Sequence, residues 1–325
     1  MSTAAAQPRG AGQEPPGRRP SGRSRIVRSA RSAGFAVALC ALLLVGDAAA
    51  LSGRVGRMDV ELPAGSGETW VLVGLDSRAE LPPGASSADF GTADEVPGSR
   101  ADVVLVLHRS GDHTTALSVP RDVVSSGGDV PGRLALSWLD GPRSTVDALC
   151  ALGIPAGHLV SIDLAGFAAV VDAAGGLDVD VAAPVRDPSA GLLLPKAGHP
   201  HVDGRTALAM VRSRHPEHLV DGQWLPAPED PDGRATAAGS VLSALAGSVR
   251  SSWWRPWRLQ SVAEAASGAL TVDRGTSIAE LATLLSAVPD VEVLPVGDPV
   301  GGTLARFPTA ATGEALSAAG LSCAG

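Results

Sequence analysis

The sequence predicts a mixed α/β fold, a central mixed β-sheet covered by helices, over most of its 325 residues. Three observations carry that prediction. Short apolar runs bounded by polar turns recur along the chain, as buried strands require. Longer Ala-, Leu- and Val-rich stretches with helical start and stop signals alternate with them, which is the pattern of a sheet with helices on its faces. No internal repeat or long low-complexity linker divides residues 65 to 320, so a single domain is expected there.

The N-terminus comes first. Residues 1–31 are rich in Pro, Gly and Arg and read as a disordered basic tail, with Arg25, Arg28 and Arg31 directly before an apolar run from Ala33 to Gly46. Residues 32–53 approach the ~20 residues that a spanning helix needs. The basic flank places the tail in the cytoplasm and everything beyond residue 54 outside, as a single-pass anchor in the cell membrane. A cleaved signal peptide is the alternative, because Ala48-Ala49-Ala50 offers small-residue cleavage positions. Leucine directly before Cys40 makes a poor lipid-attachment site. Residues 54–66 read as a linker, and 67–321 as the folded domain.

Within that domain Trp70 to Gly74, Asp102 to Leu107 and Thr115 to Val119 are apolar runs suited to buried strands, with a polar loop over 78–100 between the first two. Helices are expected at Ser144–Leu152, Leu164–Ala174, Gly204–Arg212, the long Gly233–Ser251, Ser277–Ser286 and Thr309–Ala319. Leu177–Val181 and Val291–Val296 are further strands. Cys150 and Cys323 lie in the exported part, where an oxidising compartment allows one bridge; two unpaired thiols are the alternative.

Charge excludes one function class. Eight arginines fall before residue 55 against Glu14 and Asp47, which leaves 18 basic and 32 acidic side chains beyond, a balance of −14. A domain so acidic is a poor nucleic-acid binder, because non-specific binding needs basic charge to neutralise phosphates. A DNA-binding regulator is thereby disfavoured, and any anion site must be a local arginine cluster.

Five short segments supply such a cluster: Asp76-Ser77-Arg78, Arg100-Ala101-Asp102, Arg121-Asp122, Arg212-Ser213-Arg214-His215 and Asp232-Gly233-Arg234. The run His108 to Thr114 has hairpin length, and antiparallel pairing of its flanking strands would put Asp102 beside Arg121 at one sheet edge. Taken singly, such groups are ordinary surface ion pairs or turn caps. Together they hold six arginines with interleaved aspartates. Carboxylate and phosphate oxygens suit a hard cation such as Mg²⁺, and the arginine fork matches phosphate in bidentate fashion.

From about Trp70 to Ala319 the chain resembles the LytR-CpsA-Psr family, in VGLDSR (Val73–Arg78), LSVPRD (Leu117–Asp122), HLVSIDLAGFAAVVDAAGGLDV (His158–Val179) and DGRTALAMVRSRH (Asp203–His215). The resemblance implies an extracytoplasmic α/β domain that binds a polyprenyl-pyrophosphate-linked glycan and transfers the glycan phosphate to a peptidoglycan hydroxyl. It further implies that Asp76 and Asp102 hold Mg²⁺, with Mn²⁺ as an alternative. Arg78, Arg100, Arg121, Arg133, Arg212, Arg214 and Arg234 would face the pyrophosphate. Arg121, Asp122, Arg212 and Arg214 would act in the transfer, Asp122 by orienting Arg121 or as base.

Two departures stand out. Arg133-Leu134-Ala135 keeps the family's charge and loses an amide, and Ala237 and Ala238 stand where the family commonly has an arginine and a glutamine. The second function class is therefore a polyprenyl-phosphate-binding or scaffolding protein with little turnover. A Pro-containing insertion also lengthens the stretch between His215 and Pro231.

The remaining features have plainer readings. His199, His201, His215 and His218 are read as solvated loop histidines rather than zinc ligands, since Pro216 interrupts the helix between the last two. Ser77 and Ser118 lack a nucleophile elbow. Trp253, Trp254 and Trp257 with Arg250, Arg255 and Arg258 suit either a membrane interface or a packed helix end. An apolar tunnel for the lipid tail is expected between Leu164–Ala174 and Gly233–Ser251.

Overall fold

A computed structural model describes residues 46–63, 68–77, 94, 97–127, 131–277, 279–280, 283 and 288–323. Fifteen strands lie among them: β1 (Gly56–Met58), β2 (Glu68–Leu75), β3 (Ala101–Ser110), β4 (His113–Val119), β5 (Val124–Ser125), β6 (Gly132–Arg133), β7 (His158–Asp163) and β8 (Leu177–Asp178). There follow β9 (Val185–Asp187), β10 (Leu192–Leu194), β11 (His201–Val202), β12 (Glu217–Val220), β13 (Gln223–Pro226), β14 (Leu270–Asp273) and β15 (Val291–Val293). The main helices are α1 (Pro142–Ala151), α2 (Leu164–Ala173), α3 (Gly204–Arg212), α4 (Gly233–Ser251), α5 (Pro256–Ala269) and α6 (Ala310–Ala318).

Seven strands build the central sheet in the order β1-β14-β7-β2-β3-β4-β15, with both parallel and antiparallel pairs. Side chains alternate across it, as the two-residue strand period dictates. Val71, Val73, Val104, Val106, Leu117 and Val119 pack on one face with Val146 and Leu149 of α1. Trp70, Leu105, Leu107 and Ala116 pack on the other with Leu242 and Ala246 of α4. Because both faces are covered, the strands read as unbroken apolar runs. Each such buried Val or Leu contributes about 1.5–3 kcal/mol.

Helices α2 to α5 share a further core around Val171, Ala207, Val241 and Val262. The α2 and α3 starts are set by aspartate caps, Asp163 accepting from the Gly166 N–H at 2.7 Å and Asp203 from the Thr206 N–H at 2.8 Å. Gly204 allows α3 to lie against the α2 backbone, since a Cβ there would stand 2.1 Å from the Ala168 carbonyl oxygen. That contact fixes where Arg212, at the far end of α3, emerges.

Several expectations are corrected. The stretch 54–66, expected as linker, contains β1, which pairs in parallel with β14 at the sheet edge. The strands expected at Leu177–Val181 and Val291–Val296 end at Asp178 and Val293. The insertion between His215 and Pro231 folds as the β12–β13 hairpin, which joins β9 and β10 in a four-stranded sheet. Its two-residue turn, Asp221-Gly222, has positive φ at both positions (50° and 80°), the geometry that twists with the flanking strands. A second helix, α5, follows the long α4. The helix expected at Ser277–Ser286 falls largely outside the described residues, as do the tail and most of the apolar run. Among the described residues no helix is long and apolar enough to cross a membrane.

Cys150 and Cys323 are bridged, 173 residues apart in sequence. The bridge ties the C-terminal segment to the end of α1.

Candidate functional site

The site begins at the junction of β2 and β3. The Arg100 carbonyl accepts from both the Asp76 and the Asp102 N–H, each at 3.0 Å, so the two aspartates leave the sheet side by side. The β3–β4 register pairs Val104 with Val119 and so carries Asp102 opposite Arg121. An ion pair joins their side chains.

Around Asp102 the other arginines gather. Arg214 Nη2 is 3.7 Å and Arg234 Nη1 4.0 Å from Asp102 Oδ2. Asp122 Oδ1 is held by Arg133 Nη1 at 3.0 Å and faces Arg121 Nε at 3.7 Å. Arg212 borders the same space as Asp76, Asp102 and Arg234. Five arginines thus meet three aspartates, an excess of two positive charges. Burial, and next the charge of Arg121, push the Arg234 guanidinium down to about 10, while Asp102 pulls the other way. A site whose cations repel one another while half-desolvated is one prepared for a polyanion.

The remaining arginines of the expected set differ. Arg78 lies outside the described residues. Arg100 contributes its carbonyl to the two aspartates, and among the described residues its side chain forms no ion pair with a carboxylate.

Two residues that sequence reasoning missed hold the cluster in shape. Asp187, fully buried, accepts through Oδ2 from the Ser213 hydroxyl at 2.8 Å, the Arg214 N–H at 2.8 Å and the His215 N–H at 2.9 Å. Its Oδ1 takes the Ser189 hydroxyl and the Ser189 and Ala190 N–H groups. Burial by itself would raise this carboxyl, but the hydrogen bonds from Ser189, His215, Ser213 and Arg214 outweigh it and hold the group far below the usual carboxylate range. Arg306 is 4% exposed. Its side chain donates to Asp232 Oδ1 at 2.6 Å and to the Gly297 carbonyl at 2.7 Å. Its N–H donates to the Asp122 carbonyl at 3.0 Å, and its own carbonyl accepts from Val124 at 2.8 Å. Asp232 therefore makes no side-chain cap to α4, because its carboxylate goes to Arg306.

From the arginine end a cavity of about 700 Å³ extends between the sheet and helices α2, α4 and α5. Its wall is almost wholly apolar, with Leu72, Val160, Phe167, Leu208, Val241 and Leu245. Both expected wall helices take part. Ala238, one turn beyond Arg234, is buried in that wall, and Ala135 is buried with its N–H on the Arg121 carbonyl.

Asp76 and Asp102 border one space and offer hard oxygen donors. Among the described residues no group of three or more His, Cys, Asp or Glu could hold a metal ion. Two carboxylates with remaining positions left to phosphate and water is the usual Mg²⁺ arrangement, so the residues fit such an ion. His201 is engaged by Asp178 at 2.8 Å and the Gly175 carbonyl at 2.8 Å.

Comparison with known proteins agrees with this architecture. A probable cell wall biosynthesis protein, LcpB of Corynebacterium glutamicum, is 38% identical over 162 residues, 46% of this chain and 36% of that protein. Cell wall biosynthesis protein LcpA of the same organism is 25% identical over 254 residues, 66% of this chain and 46% of that protein. The chain thus spans less than half the length of these relatives. A LytR-Csp2A-Psr enzyme from Actinomyces oris superposes with TM-score 0.68 and 34% identity, over 83% of this chain and 97% of that one. TagV of Bacillus subtilis, at 20% identity and TM-score 0.56, shares the fold over 78% of this chain and 96% of its own. TagT bound to LI-WTA shares it at 17% identity and TM-score 0.54, over 78% and 88%. The model of the LytR_cpsA_psr family matches residues 56–292, from the first strand of the sheet to the last, and the chain belongs to that family.

Proposed function

We propose that this chain transfers a glycan phosphate from a polyprenyl-pyrophosphate carrier to a peptidoglycan hydroxyl, at the outer face of the cell membrane and with Mg²⁺. One observation carries the reading: a cluster of five arginines and three aspartates adjoins a large apolar cavity, which its members Asp76, Asp102, Arg212 and Arg234 border. A ligand with a pyrophosphate head and a long hydrocarbon tail matches both. The two negative charges of a pyrophosphate diester offset the two uncompensated positives. Membership of the family, and relatives that are cell wall biosynthesis proteins, support the same substrate class.

The chemistry follows from charge. Attack by the acceptor hydroxyl forms one P–O bond and breaks the bridging P–O bond, the hydroxyl proton is lost, and polyprenyl phosphate departs with the bridging oxygen. Products carry one more negative charge than the pyrophosphate diester, and it builds on the leaving side. Arg212, Arg214 and Arg234 stabilise that charge, being fixed before the reaction. Arg121, held between Asp102 and Asp122, positions the pyrophosphate, and the two arginines on Asp122 favour an orienting role for that carboxylate over that of a base. Asp76 and Asp102 would hold Mg²⁺, or Mn²⁺ on the same donors, which would supply further positive charge.

A basic tail (1–31) and anchor (32–53) ahead of the folded part account for the location, and the Cys150–Cys323 bridge suits an oxidising compartment. A second reading, a binding protein with little turnover, is favoured by the burial of Ala135 and Ala238 beside Arg121 and Arg234. Incubating the full chain with a polyprenyl pyrophosphate and Mg²⁺ separates the two. Phosphate release that Asp102→Ala abolishes supports transfer chemistry; tight binding without release, unchanged by that substitution, overturns it.

A further inference from the structure

We propose that the turn joining α4 to α5 is a docking tip that seats in the headgroup layer of an anionic bilayer. Trp253, Trp254 and Trp257 are 78%, 54% and 66% exposed, while the other three tryptophans are buried or half-buried. Three indoles within five residues, all facing water, form an apolar patch that a solvated surface does not explain. Indole, apolar with one N–H donor, partitions to the membrane interface.

Charge selects the partner. Residues 250–263 hold Arg250, Arg255 and Arg258 and no acidic residue, at one end of a body whose balance is −14. Arg255 stacks 4.1 Å over the Trp254 ring, which keeps that indole and a positive charge together at the tip. Arg250 is fixed by the Val288 carbonyl at 3.0 Å. Such a combination meets phosphate headgroups and the upper acyl chains at once.

The cavity ties this tip to the arginine cluster. Arg234 and Arg250, at opposite ends of α4, both border it, Trp253 follows on the Arg250 side, and Asp102, Arg212 and Leu51 also line it. Leu51 comes only five residues after the apolar run ends at Gly46. The docked tip would therefore place the apolar mouth of the cavity at the bilayer surface, where a lipid tail enters without crossing water. This last step rests on the function proposed above; the docking itself does not.

The test uses the full chain reconstituted into phosphatidylcholine–phosphatidylglycerol vesicles that contain lipids brominated near the headgroup or deep in the acyl chain. Shallow bromines should quench tryptophan emission most strongly. That quenching should fall at least about threefold when Trp253, Trp254 and Trp257 are all replaced by Phe, because the remaining indoles are withdrawn from the surface. Quenching should also weaken in vesicles without phosphatidylglycerol. Equal quenching of both proteins overturns the proposal. So does retained quenching of wild-type emission by aqueous iodide in vesicles, or protection that follows protein concentration rather than lipid, which would mark a second copy of the chain as the partner. Unchanged thermal unfolding of the triple variant shows that it folds. Absence of shallow-bromine quenching in the wild-type chain with phosphate release intact sinks the docking alone, and absence of release with wild-type quenching intact sinks only the transfer reading.

Discussion

Replacing Asp187 by asparagine removes the anchor of the Arg212–His215 segment without changing side-chain size. In the wild type both oxygens accept, three donors on each. An amide keeps one oxygen and turns an NH₂ group toward the other donor set. With the NH₂ facing Ser213, Arg214 and His215, two buried N–H groups lose their acceptor at about 1–3 kcal/mol each, and the Ser213 hydroxyl can turn to compensate in part. A net loss of about 3 kcal/mol is expected, which at about 2–4 °C per kcal/mol lowers Tm by about 6–12 °C at pH 7. The pH dependence gives a second signature. Because the folded carboxyl is held below its unfolded value of about 3.9, its stabilisation is complete above that pH and is lost as pH falls further. By pH 3 about 1 kcal/mol should be gone from the wild type and not from the variant, so the Tm gap narrows. Thermal unfolding followed by circular dichroism between pH 3 and pH 7 measures both. A gap below about 2 °C at pH 7, or one that stays constant down to pH 3, would refute the assignment.

Other consequences are as direct. Replacing Cys150 and Cys323 by serine opens a loop of 173 residues and should cost about 2–5 kcal/mol, seen as a lower urea midpoint with a steeper slope, because the unbridged unfolded chain exposes more surface. Arg234→Gln, which removes one buried charge from the cluster, should raise the Kd for a soluble pyrophosphate analogue about 10- to 100-fold in calorimetry. Ala238→Phe narrows the cavity beside Arg234, so KM should rise for long-chain polyprenyl pyrophosphates and stay level for short-chain ones. Equal effects on both chain lengths would argue against that wall as the tail site.

Strands were legible because the sheet is covered on both faces, which leaves unbroken apolar runs such as Trp70–Gly74 that no surface element needs. The meeting of Asp102 with Arg121 was legible for a related reason, since a hairpin fixes its own register. What escaped reading depended on partners remote in sequence. Asp187-Pro188-Ser189 looks like any turn until the fold brings the 213–215 backbone to it. Arg306 sits in an unremarkable coil, 74 residues from the aspartate it pairs with. β1 has three residues and little intrinsic preference, and forms only because β14 offers an edge. The β12–β13 hairpin did carry a local signal, Asp221-Gly222 between apolar pairs, in a stretch read only as a Pro-containing insertion. Pro256, at the first turn of α5, likewise marked a new helix start within what looked like the end of α4.

Arg306 gives the arginine cluster a mechanical property. Its backbone is stitched to the Asp122–Val124 segment and its guanidinium to the residue that begins α4, so one rigid strut spans the two arms that carry Arg121 and Arg234. Neither arm can swing alone. Arg121 and Arg234 therefore meet a polyanion at a spacing set in advance, as one caliper rather than as separate fingers.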